Sequence, residues 1–208
     1  MKDLIVLVPD KNMEAAVRQL LTRENSLGIN KPSCDIRVHP ERDAGVFGKC
    51  HDFLRPFHRL YRFALVIFDR EGCGSPETVQ GIQQIVQKRL DVAGWLGRNQ
   101  IVVIDPELEI WVWADSPHVS RSLGLPEEQL KEMLARYERD ENQKPKDPKA
   151  AMEEALKKSR LPRSSAIYAN LAATVTLKNC RDASFSQFKS TLVEWFGRSP
   201  LSAIERSE

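Results

Sequence analysis

Acidic residues recur in this sequence wherever an apolar run stops. Asp10 and Glu14 follow residues 4–8, Asp69 and Glu71 follow residues 63–68, and Asp105, Glu107 and Glu109 follow residues 101–104. Carboxylates brought together repel one another unless protons, basic side chains or a cation compensate them. Hard oxygen donors suit Mg²⁺ or Mn²⁺, and sites of that kind commonly handle phosphate. Asp69-Arg70-Glu71 is the sharpest of the three groups. Two positions apart on an extended chain, both carboxylates point the same way and could reach one ion. Gly72 and Gly74, on either side of Cys73, would then make a tight loop open to a close ligand. The same triplet also reads as an ordinary charged turn after a core strand.

Glu109 stands out for a different reason. Across residues 106–113, Glu107, Glu109, Trp111 and Trp113 share one face if the chain is extended, with Leu108, Ile110 and Val112 on the other. If the segment is helical, Glu109 sits one turn from Trp113. In either geometry large apolar groups surround its carboxylate, which must be paired or ligating to be tolerated. An edge strand with solvated glutamates is the plainer alternative. Glu14 lies next to Met13 near a helix start, where free amides favour an anion, so helix stabilisation alone would account for it.

These residues depend on a sheet to bring them together. Residues 4–8, 63–68 and 101–104 are short, continuous runs of aliphatic and aromatic residues, the pattern of strands buried on both faces of a parallel sheet. Residues 35–39 suggest a weaker strand. Met13, Ala16, Val17, Leu20 and Leu21 recur at helical spacing, as do Val79, Ile82, Ile85, Val86 and Leu90, with Ser75-Pro76 as the expected helix start. The alternation of strand and helix predicts an α/β fold. In such folds ligands collect beyond the carboxyl ends of the strands.

The second half is helical in pattern. Leu130, Met133, Leu134 and Tyr137 mark one helix, and Asp147-Pro148 opens another with Ala151, Met152, Ala155 and Leu156 inward. Ile167 and Leu171 suggest a short third helix. Ser184 with Gln187 resembles a capping box ahead of Phe185, Phe188, Leu192, Trp195 and Phe196. The charged, proline-containing stretch 138–149 is expected to cross the surface.

The 208 residues carry 31 Lys and Arg against 29 Asp and Glu, a net charge of +2 that excludes a histone-like polycation but not a local basic groove. A basic flank is predicted at His51, Arg55, His58, Arg59 and Arg62, on what also reads as a plain amphipathic helix with Phe53, Leu54, Phe57 and Leu60 inside. No apolar run approaches the ~18 residues of a membrane span, and residues 4–8 are too few for a signal peptide. Four scattered cysteines without an export signal suggest free thiols and a cytoplasmic location. His39, Cys50, His51 and His58 lack zinc-site spacing. Walker, dinucleotide-binding and nucleophile-elbow motifs are missing, which disfavours those enzyme classes.

Residues 4–14, Phe68-Asp69-Arg70-Glu71-Gly72 and Asp105-Pro106-Glu107-Leu108-Glu109-Ile110-Trp111 resemble the three landmark segments of Toprim-like proteins of the RloB and OLD-nuclease kind, found in bacterial and phage-defence operons. With Cys180-Arg181-Asp182 and the final aromatic helix, the pattern is similar to a small component of methylation-associated defence systems. The resemblance implies a Toprim-like, mostly parallel sheet flanked by helices over residues 1–125, with a helical extension over 126–208 packed on it.

In that family a glutamate after the first strand assists proton transfer or metal binding, and a later D-x-D pair binds Mg²⁺. Here Asp10 takes the first role, unless matching Glu14 to the family's second acidic residue sets Pro9 there instead. Asp69 matches the first member of the pair, Glu71 replaces the second with one more methylene, and Glu109 and Trp111 match a Glu-x-Trp element. The resemblance thus implies Asp10, Glu14 and Glu109 as catalytic residues. It implies Asp69, Glu71 and Glu109 as ligands of Mg²⁺ or Mn²⁺, and Arg42 and Arg70 as phosphate contacts. The implied activity is metal-dependent phosphoryl transfer or nuclease-like chemistry within a bacterial defence system, with nucleic acid and other defence proteins as partners. The alternative is a non-catalytic interaction or sensor subunit with a partner surface around Trp111, Trp113 and the C-terminal helices.

Overall fold

The computed structural model describes residues 1–113, 116–177 and 180–198. The expected extension over 126–208 therefore runs past the described residues at 178–179 and 199–208. Four strands, β1 (Lys2–Val8), β2 (Cys34–Val38), β3 (Tyr61–Asp69) and β4 (Asn99–Ile104), form one sheet in the order β2-β1-β3-β4. Every pairing is parallel: Val6 faces Ile36 and Leu65, and Val66 faces Ile101. The mixed α/β reading and the three strong strands hold. The apolar runs are continuous because both faces of the sheet are covered.

Alternate residues supply two cores. Leu4, Val6, Leu65, Ile67 and Ile104 face α1 (Lys11–Leu21), α9 (Ser165–Thr174) and α10 (Ala183–Phe196). Ile5, Leu7, Val66, Phe68 and Val103 face α3 (Arg42–Leu54) and α4 (Val79–Leu90). Each fully buried aliphatic side chain contributes roughly 1.5–3 kcal/mol, so the two-sided core dominates the fold. A third apolar cluster joins α9 to the helices that precede it in the chain: α5 (Glu109–Val112), α6 (Pro117–Ser122), α7 (Glu127–Leu134) and α8 (Pro148–Ser159). A short α2 (Glu24–Leu27) completes the set. Among the described residues, no helix is long and apolar enough to cross a membrane.

The C-terminal helices are built into the sheet. Trp195 stacks on Phe63 of β3 with ring centroids 4.5 Å apart. Arg23 donates to the carbonyls of Ala172 and Val175 at 2.9 and 2.7 Å, satisfying acceptors that the end of α9 leaves free. Pro148 opens α8 as expected, with Asp147 accepting from the Ala150 amide at 2.8 Å.

Several local expectations are corrected. Ser75-Pro76 does not start α4; Thr78 caps it and accepts from the Gly81 amide at 3.1 Å. The cap of α10 is Asp182 rather than Ser184, which lies inside the helix and donates its hydroxyl to Asp182 Oδ1. Of the two geometries open to residues 106–113 the helical one is found, as the single turn Glu109–Val112, with Trp111 against α10 and Trp113 beneath α8. The basic flank is not one helix: α3 ends at Leu54, a single tighter turn spans Arg55–Phe57, and Arg62 already belongs to β3. Nor does all of residues 138–149 cross the surface. Lys144 is buried, with Nζ 2.6 Å from the Ile110 carbonyl at the end of α5.

Asp182 Oδ1 collects three donors: the Phe185 amide at 2.9 Å, Ser184 Oγ at 2.5 Å and Trp111 Nε1 at 3.2 Å. It therefore joins the cap of α10 to the indole beside the sheet core. Asp182→Ala is expected to lower unfolding free energy by about 1–2 kcal/mol, measured by urea denaturation. A loss indistinguishable from that of an exposed aspartate would show the cap to be idle.

Candidate functional site

Parallel strands deliver their C-terminal loops to one edge, and the chain reverses direction across the sheet between β1 and β3. A crevice opens at such a point because the loops on either side lead away from each other. Here it is a cleft of about 780 Å³. Asp10 enters it from the end of β1, Glu41 and Asp43 from the start of α3 beyond β2, Asp69 from β3, and Glu107 and Glu109 from the segment after β4. Basic groups line it as well: Lys11 on α1, Arg42 beside Asp43 on α3, Lys149 at the start of α8, and Arg163 before α9.

Asp69 is the centre of strain. The residue keeps some accessible surface, but its Oδ1 is enclosed and accepts no hydrogen bond from the described residues. Burial, followed by the nearby charges of Asp43, Glu109, Glu107 and Asp10, pushes the Asp69 carboxyl well above the ordinary range. Asp43 is held against it. Its Oδ1 accepts from the Asp69 amide at 2.9 Å, and burial, with Asp10 and Glu107, raises its pKa as well. Gly72 is needed for this approach, because a Cβ at that position would lie 2.8 Å from Asp43 Oδ2. The glycine loop thus admits a neighbouring carboxylate.

The two glutamates after β4 have cations of their own. Glu109 is almost wholly buried, its side chain 3% exposed, and its Oε1 accepts from Arg163 Nη2 at 2.7 Å and Tyr168 OH at 2.5 Å. The carboxylate beside it and the loss of water together push the Tyr168 hydroxyl far up, with desolvation the larger cause. Glu107 accepts from Lys149 Nζ at 2.5 Å, a contact that raises the lysine pKa.

The residues expected to act together therefore separate into groups. Asp10, Asp69 and Glu109 share the cleft, but Asp10 also caps α1, accepting from the Met13 amide at 2.9 Å. Glu14 is bound at 2.7 and 2.8 Å by Lys11 and Arg18; partial burial would raise its pKa, and the two cations bring it below the ordinary range instead. Glu71 is exposed in a short helical turn outside the cleft, because the strand stops at Asp69 and the two-residue alternation stops with it. Arg42 lines the cleft, whereas Arg70 pairs with Asp105 at 3.3 Å outside it. Asp69 and Glu109 are thus the members of the expected ligand set that meet.

Sequence reasoning missed Asp43, Lys149, Arg163 and Tyr168. Asp43 was within reach, since it follows β2 much as the other acids follow their strands. Lys149, Arg163 and Tyr168 carry no local signal, being 42, 54 and 59 residues from their glutamate partners. The donors facing the cleft are carboxylate oxygens, which suit a hard divalent ion, and Asp69 Oδ1 is an enclosed acceptor in want of a partner. Among the described residues, no three His, Cys, Asp or Glu side chains stand arranged as a ligand set.

A folded-state pKa raised above the unfolded value means that the folded protein holds the Asp69 proton more tightly than the unfolded chain does. Stability linked to this group is present below the ordinary carboxyl pKa and is lost as pH rises toward the folded pKa. Asp69→Asn should therefore leave stability nearly unchanged at pH 4 and raise it at pH 8 by on the order of 1 kcal/mol, read from paired denaturation curves. Equal effects at both pH values would remove the electrostatic account. Comparison with known protein families, with curated proteins and with solved structures finds no match for this chain.

Proposed function

We propose that the cleft is the site of a divalent-cation-dependent phosphoryl-transfer or nuclease-like activity, in a Toprim-like component of a bacterial defence system. The observation that carries this reading is Asp69, with an enclosed, unpartnered oxygen among five further carboxylates at the switch point of a parallel sheet. A cation is the ligand that would relieve such a cluster. Asp69 and Asp43 would hold Mg²⁺ or Mn²⁺, with Asp10 at the rim and the two glutamates after β4 within the same cleft. When bound, the ion would polarise a phosphoryl oxygen and acidify a water molecule.

The protein's own groups have distinct tasks in this reading. Arg42 and Lys149 stand at the cleft wall, where they would take phosphate oxygens of a nucleic acid and fix its position. Asp43, through the Asp69 amide, fixes the end of β3 and keeps the two carboxylates in register. Asp10 holds the first turn of α1 at the cleft edge.

A second reading, a non-catalytic interaction or sensor subunit of a defence complex, is favoured by the pairing of Glu109 with Arg163 and of Glu107 with Lys149. With Glu41 bound by Lys49 at 2.7 Å, three of the six carboxylates are already paired from within the chain.

Titration of the protein with Mn²⁺ by calorimetry, alongside cleavage assays on single- and double-stranded DNA and RNA, separates the two. Asp69→Ala and Asp43→Ala should each weaken Mn²⁺ binding at least tenfold and abolish Mn²⁺-dependent cleavage while circular dichroism stays unchanged. Wild-type protein that takes up no Mn²⁺ through the millimolar range would end the catalytic reading and leave the subunit reading.

A further inference from the structure

The two cations that pair with the glutamates after β4 come from one piece of the chain. Lys149 is the second residue of α8, and Arg163 lies in the loop that joins α8 to α9. Their partners, Glu107 and Glu109, follow β4. The pairs are lopsided in their burial. The side chains of Glu107 and Glu109 are 10% and 3% exposed, those of Lys149 and Arg163 43% and 36%. The acids are therefore fixed in the protein, and the cations reach over them from the solvent side.

Arg163 is fully engaged in this position. Its Nη2 donates to Glu109 at 2.7 Å, its Nε to Tyr168 OH at 3.0 Å, and its Nη1 lies 3.4 Å from Glu153 Oε1. Tyr168 donates to the same Glu109 oxygen that Arg163 holds. An ion coordinated by that oxygen, at the ~2.1 Å that Mg²⁺ requires, could not share it with both donors. Metal and guanidinium exclude each other on Oε1, and a guanidinium kept there would repel an ion approaching the other oxygen of the same carboxylate.

The charges match for an exchange. Two glutamates are balanced in the described state by one arginine and one lysine, and a single divalent ion carries the same total. Half-exposed cations return to water at little penalty, whereas the buried glutamates cannot be left bare. We propose that the α8–α9 segment is an electrostatic latch: Arg163 and Lys149 act as internal counter-cations on Glu109 and Glu107, and the cleft takes up a divalent cation by displacing them. This inference rests on the reading of the cleft as a divalent-cation site. Displacement does more than open the cleft. It releases two basic side chains at its edge, where an anionic phosphate would be held once the ion is in place.

The test is Mn²⁺ binding by the full chain, measured by calorimetry and by the loss of free-ion signal in electron paramagnetic resonance. Lys149→Gln and Arg163→Gln remove a competitor, so each should tighten Mn²⁺ binding by about tenfold over wild type. Adding Glu109→Gln to Arg163→Gln should reverse the gain. In wild-type protein, saturating Mn²⁺ should increase amide hydrogen exchange across residues 160–168.

Variants that bind Mn²⁺ no more tightly than wild type, while Asp69→Ala still loses it, would overturn the latch and leave the cation site standing. Absence of Mn²⁺ binding from wild type and both glutamine variants would overturn the latch and the site together. Should Arg163→Gln fail to fold, Lys149→Gln carries the same test, because its half-exposed side chain stands at the rim.

Discussion

Gathering carboxylates at one edge of a parallel sheet creates mutual repulsion that the rest of the chain has to answer. Six acidic side chains enter the cleft from the ends of four strands and the segments that follow them. The sheet can hold them there because its own stability comes from two apolar faces, packed independently of the charges at its edge. Repulsion is then met locally and unevenly. Glu107 and Glu109 are given cations, Asp10 is given an amide of a helix start, and Asp69 is left with its carboxyl pushed well above the ordinary range.

That unevenness connects the two halves of the molecule. Helices α9 and α10 share an apolar core with β1, β3 and β4, while α8 and the loop that leads into α9 supply the cations that neutralise the acids after β4. A helical segment packed on a sheet for apolar reasons thereby acquires a stake in the electrostatics of the cleft. Trp111 makes the connection mechanical as well. It leaves the turn that carries Glu109, packs against Phe185 and Phe188, and donates to the cap of α10. Movement of that turn would be felt by the terminal helix.

Asp43 and Gly72 illustrate how close packing defines the acid pair. The glycine has no special backbone angle to justify it; what it provides is room for a carboxylate on a neighbouring helix. With the Asp43 oxygen on the Asp69 amide, the end of β3 is tied to α3, and two acidic groups are kept adjacent in spite of their charge. Such an arrangement is stable when one of them is neutral or when a cation lies between them.

The local sequence determined the strands, most of the helices and the general location of the cleft. Continuous apolar runs ending in acids can form buried parallel strands, and the ends of such strands meet at one edge; Asp10, Asp69 and Glu109 were legible for that reason. The periodicity rules failed at the joints. Glu71 lies past the extended geometry, which stops at Asp69, and α4 and α10 are capped by Thr78 and Asp182, where several capping residues compete within a few positions. Tertiary structure alone decided the partners of the acids. Lys149, Arg163 and Tyr168 lie dozens of residues from the glutamates they bind, and no local pattern encodes which cation a fold will lay over which carboxylate.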